Sequence, residues 1–294
     1  MTNLLKRSSV KLSKYCLIFV SLFFLTAQSI YAWDDGQPVV IKSESPISDA
    51  QRYNISAYYL DEKGVGLAYI GTRHTFDPEN SQIEGIERFF QRFKPTLVLL
   101  EGGDWPVAES KEQSIRRYGE IGFTRYLAAR ANVKTQSADP LTADEYNAVL
   151  KRHTPSEAKL YYALRFVPQW SKQETGLTLE ENLARFLGTT NFTQFSSVSA
   201  DVSPRNIKEL ELLCSKLIPD LKDWRTVQFD LSFDGGKNSI LTEVDRTASA
   251  FRNAHIEQKI IEGLQHGERV FVISGVTHLA KILPQLRPKL AALK

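Results

Sequence analysis

The feature that most constrains this chain is the stretch 65–103. It opens on Val65-Gly-Leu-Ala-Tyr-Ile-Gly-Thr-Arg-His74 and closes on Thr96-Leu-Val-Leu-Leu-Glu-Gly-Gly103, with a charged amphipathic segment between. Two short apolar runs rich in Ile, Val and Leu, each closed by glycine and a polar residue, predict buried strands. In the intervening segment Ile83, Ile86, Phe89, Phe90 and Phe93 recur at helical spacing, and Lys94-Pro95 ends the repeat. A β-α-β unit follows. Open α/β sheets bind ligands beyond the carboxyl ends of their strands, so His74 and Glu101 stand where chemistry is expected. Near the other end of the chain, Glu268-Arg-Val-Phe-Val-Ile-Ser-Gly-Val-Thr-His278-Leu repeats the first pattern: apolar strand, Gly-x-x-His, helix. The sequence therefore predicts two histidines in the same structural place, each glycine letting the backbone turn sharply as its strand ends.

The rest of the chain fits around that unit. Residues 54–59 and 65–70 read as a hairpin entering the sheet. Helical patterns cover 111–117 and 122–131, and a short strand at 133–138 closes on Asp139-Pro140. From 142 to 219 only helices are predicted, over 142–151, 155–167, 178–187 and 204–217. Such a run between strands reads as a helical insertion or cap against the ligand-bearing edge of the sheet. A long helix at 245–266 stacks Ala248, Arg252, Ile256, Ile260 and Leu264 in steps of four, which puts Arg252 where a core residue is expected. A strand at 270–274 and a helix carrying Leu279, Ile282 and Leu283 complete the chain. Residues 33–51 read as a polar lead-in, and 221–238, with Phe233-Asp-Gly-Gly236, shows no clear pattern. The fold class expected is α/β, a mixed central sheet with flanking helices and a helical cap inserted between strands.

The first 32 residues differ in composition from the remainder. A basic start with Lys6, Arg7, Lys11 and Lys14, an apolar core over 16–25 and small residues ending at Ala27 or Ala32 predict a secretory signal peptide. The apolar core is shorter than the roughly 20 residues that span a bilayer, so no stable membrane insertion is expected after cleavage, and the protein reads as secreted or periplasmic. The whole chain has 37 basic and 34 acidic residues; the signal holds four of the basic ones and no acidic one, which leaves 33 against 34. A nearly neutral chain without a polybasic run argues against nucleic acid as a partner. Cys214 is the one cysteine after residue 32, so no internal disulfide is expected and the fold must rest on its core. Residues 33–294 are ample for one large α/β domain.

Two imidazoles and a carboxylate at strand ends suggest a His-His-Glu metal site from His74, His278 and Glu101, in which a bound water becomes a nucleophile near neutral pH. Glu101 is costly to bury without a partner, and Gly102-Gly103 leave room for a ligand to approach. The alternative for Glu101 is an ion pair, for instance with Arg252. Arg252 itself either holds a carboxylate or developing oxyanion in the crevice or lays its stem along apolar surface. The first reading gives it more weight in activity than in folding. Asp139 is a weaker candidate that can be explained as a strand terminator. His153, His255 and His266 read as surface residues, and Tyr161 and Tyr162 as packing in the cap.

Gly71-Thr-Arg-His74, Glu101 after Leu97-Val-Leu-Leu, Arg252-Asn253 within a helix and Gly275-Val-Thr-His278-Leu together resemble the TraB/PrgY/GumN family and its relatives, the Tiki metalloproteases, within the erythromycin-esterase-like/ChaN-like superfamily. The resemblance spans residues 65–283 and implies an EreA/ChaN-like fold. It implies that His74, Glu101 and His278 bind metal or act in catalysis, and that Arg252 is an active-site arginine. The Tiki-like branch implies peptide-bond hydrolysis with a divalent ion such as manganese or cobalt. The expected cofactor is thus a divalent ion, manganese, cobalt or zinc, and the expected partner a peptide or small-molecule substrate. Other branches imply a metal-free esterase with a histidine as general base, or a peptide- or haem-binding protein without turnover. Asn253 stands where several branches have aspartate.

Overall fold

The computed structural model describes residues 53–62, 65–103, 105–171, 176–189, 202–227 and 239–293. The expected signal peptide, the lead-in at 33–51 and Phe233-Asp-Gly-Gly236 lie outside these residues.

The structure is an α/β protein built on a five-stranded mixed sheet. Strands β1 (Ser56–Glu62), β2 (Val65–Thr72), β3 (Leu97–Leu100), β4 (Lys134–Ser137) and β5 (Arg269–Gly275) lie in the order β1-β2-β5-β3-β4. β1 pairs antiparallel to β2 as the predicted hairpin; the other pairings are parallel. The register explains why residues distant in sequence meet. Thr72 lies beside Gly275, Leu100 beside Ile273, and Leu100 beside Ser137. Four parallel strands thus end on one edge, delivering the residues that follow them in sheet order.

Alternation along the strands builds a core on each face. Phe271 and Ile273 of β5 point with Ile70 and Val98 toward α1 (Ser81–Phe93) and α2 (Lys111–Arg130), meeting Phe89, Phe90, Phe93 and Phe123. Val270 and Val272 point the other way, with Leu67 and Leu99, toward the long helix α8 (Ile240–Gln265) and α9 (Val276–Ala292). Each fully buried Phe or Leu of this kind contributes roughly 1.5–3 kcal/mol. α1 begins where the Asn80 side chain accepts from the Gln82 N–H. It stops at Lys94, left-handed at φ 52, with Pro95 unable to continue the ladder.

Between β4 and β5 the chain forms α3 (Thr142–Leu150), α4 (Pro155–Leu164), α5 (Val167–Trp170), α6 (Leu179–Leu187), α7 (Ile207–Leu217) and α8. Capping boxes at Thr154 and Thr178 start α4 and α6. This segment has a separate core that includes Tyr146, Leu160, Leu183, Leu210 and, from α8, Leu241, Val244 and Ala248. The other half of α8, with Ile256, Ile260 and Leu264, belongs to the sheet's core. Arg252 sits at the junction of the two. Among the described residues no helix is long and apolar enough to cross a membrane.

One expectation holds and two change. α2 is kinked at Gly119, inside the gap at 118–121 that the sequence predicts between two helical stretches. α8 starts five residues earlier than the apolar stripe suggests, because Ser239 caps it by accepting from the Thr242 N–H. The histidines are not in equivalent places: His74 lies on an irregular loop that lasts until Ser81, whereas His278 is already in the first turn of α9.

Candidate active site

The carboxyl edge of the sheet brings His74, Glu101, His278 and Arg252 together. Glu101 follows β3, and its N–H bonds the Ile273 carbonyl at 3.2 Å, holding it against β5. Its Oε1 accepts from Arg252 Nη2 at 2.8 Å and lies 3.5 Å from His278 Nε2; its Oε2 accepts from the Gly275 N–H at 2.6 Å. His74 reaches the same place from β2. A Cβ built on Gly275 would lie 3.3 Å from His74 Nε2 and 3.7 Å from Glu101 Oε2.

Both imidazoles are anchored through Nδ1. His74 Nδ1 is 2.9 Å from Glu120 Oε1, a contact that suits a proton on Nδ1 donated to the carboxylate oxygen. His278 Nδ1 is 2.5 Å from Asn253 Oδ1, one residue beyond Arg252 on α8. His74 Nε2 lies beside the Gly275 backbone, and His278 Nε2 turns toward Glu101 Oε1, 3.5 Å away. The environments differ: the His74 side chain is 40% exposed and its carboxylate partner 2%, whereas the His278 side chain is 8% exposed and faces an amide oxygen.

The glycines of the repeated motif serve close approach, not a turn. Gly275 has φ −55, open to any residue; what it lacks is a side chain where His74 stands. A Cβ on Gly71 would meet the Val276 Cα at 3.0 Å and the Leu279 side chain at 3.1 Å, so the bare backbone of β2 admits the start of α9. Gly102, at φ 84, is backed by the Trp105 ring, 2.8 Å from where a Cβ would fall. Of the room expected for a ligand at Gly102-Gly103, the Gly102 side is filled by the protein itself, whereas a Cβ on Gly103 would meet nothing within 4 Å.

Arg252 is the cation around which the carboxylates assemble. Besides Glu101, its Nε and Nη2 donate to Asp139 at 3.1 to 3.2 Å, and Glu145 lies 3.9 Å from Nε. Asp139 Oδ2 also accepts from the Gly102 N–H at 2.9 Å, so this residue belongs to the site. Glu145 accepts in turn from the Tyr162 hydroxyl at 2.7 Å and Arg165 Nη1 at 3.4 Å, and the Tyr161 hydroxyl donates to Asp245 at 2.7 Å. Tyr161 and Tyr162 pack in the core of the helical segment, as read from sequence, and their hydroxyls also join a polar network behind Arg252. The surface alternative for Arg252 is set aside, since its side chain is 7% exposed. His153 bonds Thr247 and His266 is exposed, both away from the crevice.

These contacts set the charges. Burial pushes the Glu101 carboxyl upward, but His278, Arg252 and His74 outweigh it and hold it well below the usual range. Burial disfavours the Arg252 cation as well, and Asp139, Glu101 and Glu145 overcome that. For His74, burial depresses the imidazolium while Glu120 supports it more strongly, raising the pKa to about 9.

The expected His74, Glu101 and His278 ligand set is gathered but not arranged for an ion. Among the described residues, no group of three or more His, Cys, Asp or Glu side chains is placed to hold a metal. Glu101 engages the guanidinium with one oxygen and a backbone N–H with the other. A divalent ion would have to displace a fixed cation.

Glu120 and the role of Asp139 escape a sequence reading, and Asn253, noted there beside Arg252, has no partner assigned by it. A weak signal exists for Glu120: it follows a glycine that interrupts a helical pattern. The chain matches no protein-family model, no curated protein and no solved structure.

Proposed function

We propose that this edge is a hydrolytic centre in which His74 and His278 act as an acid–base pair on an amide or ester carbonyl of a peptide or small molecule. The observation that carries the reading is the anchoring of both imidazoles through Nδ1, with His278 Nε2 3.5 Å from Glu101 Oε1 and His74 Nε2 beside Gly275, whose N–H bonds the same carboxylate. Paired titratable groups with unlike partners suit opposite proton roles. His74, held by a buried carboxylate, is the acid; His278, held by a neutral amide, is the base that takes a proton from the attacking water. Glu101, 3.5 Å from His278 Nε2, stabilises the imidazolium that forms. His74 then gives its Nε2 proton to the leaving nitrogen or oxygen, and Arg252 holds Glu101 and Asp139 in place throughout.

The reading extends to the family resemblance: a TraB/GumN-type protein with an EreA/ChaN-like fold, secreted or periplasmic, with the helices between β4 and β5 as a cap over the substrate. A metal-dependent route is the second reading. In its favour, histidines oriented through one nitrogen by an outer partner are usual around metals. It needs Glu101 to exchange the guanidinium for the ion.

The test is a screen of chromogenic esters and fluorogenic peptides with the exported protein, with and without chelator, alongside elemental analysis. Turnover that survives chelation is the expected result. Loss on chelation, restored by manganese, cobalt or zinc, moves the assignment to the metal route; absence of turnover in every arm overturns the hydrolase and leaves a peptide- or haem-binding protein.

A further inference from the structure

α2 is interrupted at Gly119, where the loop after β2 packs against the break. Gly119 has φ 66 and ψ −164, a conformation that strains any residue with a Cβ. A Cβ there would also press on the Thr75 carbonyl oxygen at 3.0 Å and on the Phe76 ring at 3.4 Å. The break lays α2 against the loop after β2 and turns the next side chain, Glu120, beneath that loop.

Glu120 is 1% exposed, and burying a carboxylate so deeply is costly unless donors meet it. The donors come from Thr72 to Thr75. The Thr72 hydroxyl and His74 Nδ1 lie 3.0 and 2.9 Å from Oε1, and the Thr75 N–H donates to Oε2 at 3.0 Å. Gln82 grips the same loop from α1, accepting from the Arg73 N–H at 2.8 Å and donating to the Arg73 carbonyl at 2.9 Å. A loop held this firmly presents its imidazole in one orientation.

We infer that Glu120 is the positioning residue of His74: it keeps a proton on Nδ1 in both charge states of the ring and so fixes Nε2 as the atom that works in the crevice. The inference rests on the reading of His74 as a proton-handling group of the site. The mechanism predicts an unusual response to an isosteric change. In Glu120→Gln the Thr75 N–H can only donate, so the amide oxygen must take the place of Oε2. The amide NH2 then faces His74 Nδ1, which has to become an acceptor and send the neutral ring's proton to Nε2.

The experiment is long-range proton–nitrogen correlation NMR of the five histidines in 15N-histidine-labelled protein, with His74 assigned through His74→Asn. The expected result is a proton on His74 Nδ1 in the wild type, transferred to Nε2 in neutral Glu120→Gln. Turnover in that variant should drop about 10- to 100-fold with KM nearly unchanged. A wild-type His74 without the Nδ1 proton overturns the inference, and so does an unaltered proton position in Glu120→Gln. If the variant does not fold, the wild-type spectrum decides alone. A wild type that hydrolyses nothing, with its Nδ1 proton in place, retires the hydrolase reading and leaves the positioning role standing.

Discussion

His74 and His278 carry the same Gly-x-x-His motif at the ends of adjacent parallel strands, yet the protein treats them differently. After β5 the chain enters α9 at once, so His278 is pinned in a helix turn and packed between Asn253 and Glu101. After β2 the chain stays irregular to Ser81, so His74 depends on Glu120 and Gln82 for its shape. Even the glycines are exchanged in function, Gly71 admitting the helix of His278 and Gly275 admitting the ring of His74. A repeated motif fixes where a side chain enters a site; its partners decide what it does there.

The most drastic way to break the comparison is to remove each ring. His74→Ala and His278→Ala are each expected to lower turnover about 10²- to 10⁴-fold, the usual range for a lost acid or base. Far-ultraviolet circular dichroism should stay at the wild-type level. A variant that keeps full activity would remove its histidine from the mechanism and turn the pair into a single functional residue.

Arg252 contrasts with both, because it binds protein more than it faces the crevice. Arg252→Met leaves Glu101 and Asp139 as buried carboxylates without their shared cation, which should cost about 3–5 kcal/mol of stability. Urea denaturation measures it. The sequence predicts a residue more important to activity than to folding; the contacts to Asp139, Glu101 and Glu145 give it a structural part as well. A loss under 1 kcal/mol would show that the guanidinium is not the centre of that cluster.

What the sequence makes legible here is set by local pattern. The continuous apolar runs of the strands, the spacing of Ile83 to Phe93 and the stripe through Arg252 each depend on neighbours along one element, so β2, β3, β5, α1 and α8 can be read, and with them the convergence of His74, Glu101, His278 and Arg252. Glu120, Asn253 and Glu145 depend on contacts across the fold. Glu120 meets His74 over 46 positions and Arg252 meets Asp139 over 113, and no local pattern encodes such a pairing. The gap predicted within α2 contained Gly119 and Glu120: the irregularity was visible, its purpose was not.

The exchanged glycines offer a finer test. Gly71→Ala drives a Cβ toward the backbone of Val276 at 3.0 Å, which cannot step aside, and should destabilise by about 1–3 kcal/mol. Gly275→Ala has permissive backbone angles and meets only the tip of His74 at 3.3 Å. It should reduce turnover while the thermal midpoint stays nearly constant. Equal losses of stability in the two variants would deny that Gly275 is kept bare for His74.

The smallest effect expected is a pH dependence of stability, and it has opposite signs at the two ends of the site. Glu101 is held below its ordinary 4.5 by its neighbours, so its contribution is present above that value and fades as the pH falls. His74 is raised from 6.5 to about 9 because Glu120 outweighs burial. Its contribution is therefore complete below 6.5 and disappears as the pH rises through about 9. Since 40% of the His74 side chain meets solvent, screening trims the effect, and added salt should trim it further. The measurement is the difference in urea midpoint between wild type and His74→Asn from pH 6 to pH 10. A difference that shrinks between 6.5 and 9 and is flat beyond supports a carboxylate-held imidazolium at His74. A difference that grows with pH would mean that the ring is stabilised in its neutral form, and the acid role would then pass from His74 to its partner across Glu101.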